Sequence, residues 1–87
     1  MHICTVDPRD TTWEQDHAVY RVYFWDTASN HSHEYQVSDA DIDEVLTWVR
    51  READSRGWSY TVYVEVSDGG QPGLVRICGV IGDPFAV

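Results

Sequence analysis

One amphipathic helix constrains this chain more than any other feature. Residues 38 to about 57 carry a start signal, an apolar stripe and a stop signal. Ser38 is an N-cap residue type, whose hydroxyl can accept a bond from an unpaired N–H of the first turn. Asp41 follows three residues on, a weak form of the capping box. Asp39, Asp41, Asp43 and Glu44 crowd the first turns, where the positive end of the helix dipole favours carboxylates. Arg50, Arg51 and Arg56 come late, and Gly57 can take the left-handed C′ conformation. Ile42, Val45, Leu46, Val49 and Ala53 fall on one narrow stripe at helical period. A helix with a single apolar stripe needs one surface to cover, and everything around it reads as strand.

Residues 17–25 are rich in β-branched and aromatic types and predict a strand. Ala18, Tyr20, Val22 and Phe24 form one face; Val19, Arg21, Tyr23 and Trp25 form the other. Residues 26–32 have loop composition, and residues 33–37 predict a short second strand, antiparallel to the first. After the helix, residues 58–67 alternate strictly. Trp58, Tyr60, Val62, Val64 and Val66 oppose Ser59, Thr61, Tyr63, Glu65 and Ser67, as in a strand with one buried face. Residues 68–73 gather turn signals, and residues 74–81 predict a last strand. In it Val75, Ile77 and Ile81 are expected to face the core, with Leu74, Arg76 and Cys78 opposite. Phe85 is expected to fold back on the core.

The order is ββαββ in one α+β domain over residues 1–87. It predicts a four- to five-stranded, mainly antiparallel sheet with one helix packed across one face. The fifth strand would be residues 1–6, at an edge. Residues 7–10 read as a turn and residues 11–16 as a loop around Trp13. Strands one and three are expected to pair at the centre.

Charge narrows the partners. Fifteen acidic residues face six basic ones, for a net charge of −9, and every basic residue is arginine. Nucleic acid binding is largely phosphate neutralisation by cations, so this balance argues against DNA or RNA. It argues equally against anionic membranes. No apolar run approaches the length of a membrane span, and residues 1–10 lack the pattern of a secretory leader. A cytoplasmic location is the expectation. The Asn30-His31-Ser32 sequon carries no weight there.

Chemistry-bearing motifs are sparse. No Cys-x-x-Cys, phosphate loop, Gly-x-Ser-x-Gly or His-Glu-x-x-His occurs. His31 and His33 lie two apart, and His17, His2 and Cys4 could complete a metal site, but the spacing is not that of a zinc finger. Exposed loop histidines are the simpler reading. Cys4 and Cys78 are expected to be buried free thiols in what could be neighbouring strands. The helix dipole already accounts for the acidic first turns. No catalytic residue, metal or cofactor is assigned.

The sheet face turned from the helix is more informative. Arg21, Tyr23 and Trp25 of strand one, Tyr63 and Glu65 of strand three, Arg76 of strand four, and Glu34 and Gln36 of strand two are expected to share it. Tyr, Trp and Arg are enriched in protein interfaces. They are also good cross-strand partners on a solvated sheet. Trp48 lies about 120° from the centre of the helix stripe. It is either a boundary residue on the sheet edge or an exposed contact residue. The expectation is a small acidic protein-binding module without catalytic activity. Its contact residues would be Arg21, Tyr23, Trp25, Tyr63 and Arg76, with Trp48 on a second surface. The alternatives are a homodimer through the open face and a small metal- or ligand-binding domain using His and Cys. In size, acidity and lack of catalytic motifs the chain resembles bacterial immunity proteins and antitoxins. That likeness of type implies a module that neutralises a partner by covering its site.

Overall fold

The computed structural model describes residues 1–10 and 17–85. After a short 3-10 turn at Pro8–Asp10 come β1 (Tyr20–Asp26), β2 (His31–Val37), α1 (Ile42–Arg56), β3 (Ser59–Asp68) and β4 (Gln71–Gly79). The four strands form one antiparallel sheet in the order β2-β1-β3-β4, with β1 and β3 central as expected. The loop expected at residues 11–16, with Trp13, lies outside the described residues.

The core is the contact between the α1 stripe and one sheet face. Val45, Val49 and Ala53 are buried against Tyr20, Val22 and Phe24 of β1 and Val62 of β3. Ile42 and Leu46 pack at its margin. Burying each such valine stabilises the fold by about 1.5–3 kcal/mol. Phe24 is the aromatic hub, with ring centroids 5.5 Å from Trp48, 5.7 Å from Trp58 and 5.8 Å from Tyr35.

The helix begins later than its capping pattern suggested. Its N-cap is Asp41, without a side-chain capping bond, and Val45 N–H donates to the Asp41 carbonyl. Ser38 stands outside it, because Asp39 takes a positive φ of 56° that breaks the helical path. The C-terminus is as expected. Gly57 is left-handed at φ 70°, and Trp58 N–H reaches back 3.0 Å to the Ala53 carbonyl.

Both hairpins are tighter than their composition implied. Residues 27–30 join β1 to β2, with Asn30 at φ 60°. Asp26 accepts bonds from the Ser29 amide and hydroxyl across this loop. Those bonds, the hydroxyl's first, hold its carboxyl below the ordinary 3.8 of aspartate, with smaller help from Trp58 and His31 against a counteracting desolvation. A depressed carboxylate stabilises the fold above its unfolded value and loses that contribution as pH falls through its folded value. The stability difference between wild type and Asp26→Ala is therefore expected to be largest above pH 4. It should shrink as pH falls below 3.8, in urea titrations of both proteins at pH 6 and pH 3. Only Gly69 and Gly70, both at positive φ, separate β3 from β4. That is the geometry of a type I′ turn.

Three expectations about the chain ends are overturned. Residues 1–6 form no strand; they are exposed, Cys4 included. Cys78, expected opposite the core face, lies on the helix side because β4 carries a bulge. Val62 pairs with Cys78, but Tyr63 pairs with Arg76, so Ile77 is the extra residue. One extra residue shifts the alternation on either side of it. Cys78 thus joins Val62 on the helix side as a half-buried free thiol, while Arg76 keeps its expected place opposite. Val75 and Ile77 are exposed, at 50% and 40%, and so is Ile81 at 80%. The buried helix residues pack on β1 and Val62, leaving the β4 edge uncovered. Pro72 is tolerated there, since an edge strand can spare one N–H.

Candidate contact surfaces

Register places the expected residues together on the face turned from α1. Arg21 stands between Gln36 and Tyr63, Tyr23 between Glu34 and Thr61, and Trp25 between Ser32 and Ser59. Arg76 pairs with Tyr63. Tyr23 is the middle of an aromatic row, edge-on to Tyr63 at 5.1 Å and to Trp25 at 5.7 Å. Arg21 Nη2 meets Glu65 Oε1 at 3.0 Å, both groups part-exposed, while Arg21 Nε is buried without a partner among the described residues. Arg76 Nη1 donates to the Gly79 carbonyl at 3.0 Å.

Trp25 differs from the others in being only 5% exposed. Phe85 packs edge-on against it at 5.6 Å. Its indole N–H donates to Thr61 Oγ1 at 2.9 Å, and that hydroxyl donates to the Val80 carbonyl at 2.8 Å. Phe85 does fold back, but onto this face rather than onto the helix-covered core. Residues 80–85 therefore cover one end of the sheet, and the half-buried Tyr23–Tyr63 pair lies beside them. Trp25 supports that surface from beneath. No local sequence signal marks its burial, because the cover comes from a segment far along the chain.

The second surface is the rim between β2 and α1. Trp48 takes the boundary position, half-buried and perpendicular to Tyr35 at 5.5 Å. Tyr35 is 46% exposed. The two rings border a cleft of about 520 Å³ that also touches Val37, Ala40 and Glu44. Composition gave no reason to single out Tyr35; the β2 register puts it on the helix side, where it meets Trp48.

The histidines do not converge. His33 stacks on Trp58 at 4.5 Å, and His17 Nε2 lies 3.2 Å from Asp41 Oδ1. Among the described residues, no three His, Cys, Asp or Glu side chains form a group that could hold a metal ion. No helix among them is long and apolar enough to cross a membrane. Neither protein-family models, nor characterised proteins, nor solved structures give a match to this chain.

Proposed function

We propose that this chain acts by binding another protein, as a small acidic cytoplasmic module without chemistry of its own. The observation that carries the reading is the half-buried Tyr23–Tyr63 pair. It lies on the sheet face that α1 leaves bare, between the Arg21–Glu65 ion pair and Arg76. Rigid aromatic rings flanked by arginine bury large areas at small entropic cost, which is what interface hot spots require. The net charge of −9 suits a basic partner, whose encounter it would accelerate. A module that covers a basic site on its target is the form this takes.

The test is capture from a lysate of the source organism, with wild type and a Tyr23→Ala/Tyr63→Ala variant as baits. Trp25 stays in place, and urea unfolding of the variant checks that it is folded. A partner held by wild type and weakened by more than about tenfold in the variant is expected. Equal capture would move the contact off this face. A dimer in light scattering that the variant splits would make a second copy the partner. No capture, with a monomer, would overturn the reading.

A further inference from the structure

Among the described residues two tryptophans pack at the margin of the core, Trp48 and Trp58, and only Trp58 carries its own cation. Arg56 places its guanidinium carbon 5.0 Å above the Trp58 ring while its Nε holds Glu52 Oε2 at 3.1 Å. Aromatic face, guanidinium and carboxylate thus complete one another within the chain. Trp48 has the first and third of these groups. Glu44 lies one helical turn before it, and both residues line two clefts, of about 520 and 430 Å³. Among the described residues the Glu44 carboxylate makes no ion pair, and no cation stands over Trp48. Arg51 borders the smaller cleft without pairing to Glu44.

We propose that the cleft between Tyr35 and Trp48 receives an arginine side chain of a protein partner, its guanidinium against the rings and paired to Glu44. This rests on the reading of the chain as a protein-binding module and gives that module a second, chemically defined surface. Charge complementarity selects the occupant. Glu44 lines this cleft and Asp43 the smaller one beside it, neither in an ion pair among the described residues, against a helix-dipole charge of only about +0.5. A cation is therefore favoured there despite the positive end of the dipole. Arginine suits the site better than lysine, because its planar guanidinium stacks on aromatic faces and bonds a carboxylate through two N–H groups at once. The apolar walls at Val37 and Ala40 match its methylene stem.

The experiment is a titration of the ¹⁵N-labelled full chain with tetra-arginine amide, followed by NMR. The expected result is a saturable shift of the Trp48 indole N–H and of the Tyr35 and Glu44 amides. Glu44→Gln, a substitution at an exposed position, should weaken binding at least about fivefold. Asp54→Asn removes the same charge from an exposed site on the same helix and should change it by less than about twofold. Equal losses in the two variants would reduce the effect to general attraction by an acidic protein and overturn the proposal. Shifts spread evenly over the acidic surface would do the same, and so would equal affinity for tetra-lysine amide at these residues. A partner captured through Tyr23 and Tyr63, with no arginine response at Trp48, would sink this inference and leave the broader reading standing. A localised arginine response with no partner captured through Tyr23 and Tyr63 would support this site and overturn the Tyr23–Tyr63 face as the contact.

Discussion

Trp25→Ala is expected to lower the stability of the domain by about 3–5 kcal/mol, the usual cost of emptying a buried tryptophan site. The side chain is 5% exposed, although it sits on the face away from the helix. Removing it leaves Tyr23 and Phe85 facing a cavity and deprives Thr61 Oγ1 of its donor. Thr61 is itself fully buried and ties β3 to the Val80 carbonyl, so the C-terminal segment should loosen together with the cavity. A domain of this kind has only about 5–15 kcal/mol in total. The midpoint of urea unfolding should therefore fall sharply, and amide exchange at residues 80–85 should accelerate. Trp25→Phe keeps most of the ring and loses the N–H, for about 1 kcal/mol. A cost below about 1 kcal/mol for the alanine variant would mean that residues 80–85 do not hold this face. The result also bears on function. A binding defect in Trp25→Ala would report unfolding before it reported a lost contact, whereas Tyr23 and Tyr63 can be changed with the cavity filled.

What could be read from residue order was whatever depends on contrast between neighbours. The α1 stripe and the alternation of β3 each set apolar against polar positions at a fixed period, and both elements formed with those faces. Helical geometry set Trp48 off the stripe but left it as a boundary or an exposed residue, and packing on Phe24 and Tyr35 decided for the boundary. Three of the four residues from Ser38 to Asp41 are cap types, and the backbone at Asp39 decided among them. Strand β4 was misread past Ile77 because the bulge depends on how β3 and β4 meet, which no window within β4 contains. The candidate surfaces divide along the same line. Register grouped Arg21, Tyr23, Tyr63 and Arg76 as their alternation implied. The burial of Trp25 and the recruitment of Tyr35 needed contacts between distant segments.

Gly79 shows how much rests on such a contact, and Gly79→Ala is expected to destabilise the domain by about 2–5 kcal/mol. The residue ends β4 opposite Thr61 at φ 96°, a conformation in which a Cβ is strained by about 1–2 kcal/mol. Space is the larger obstacle. A Cβ built there would lie 2.2 Å from the Tyr60 carbonyl oxygen and 2.9 Å from Thr61 Cα. Both are main-chain atoms of a central strand, and neither can rotate aside as a side-chain tip could. The strands must separate at this point, adding about 1–3 kcal/mol of overpacking strain. Separation also threatens the bond from Val80 N–H to the Tyr60 carbonyl at 2.9 Å, and with it the cover over Trp25. Gly73→Ala is the control. Its Cβ would meet nothing closer than Val66 Cγ2 at 3.8 Å, an ordinary contact, and its φ is not in the positive range. Urea unfolding of the two variants should differ by at least about 2 kcal/mol, with Gly73→Ala near wild type. Equal stabilities would mean that β4 does not approach β3 this closely at Thr61, and the joint between the last strand and the segment that shields Trp25 would have to lie elsewhere.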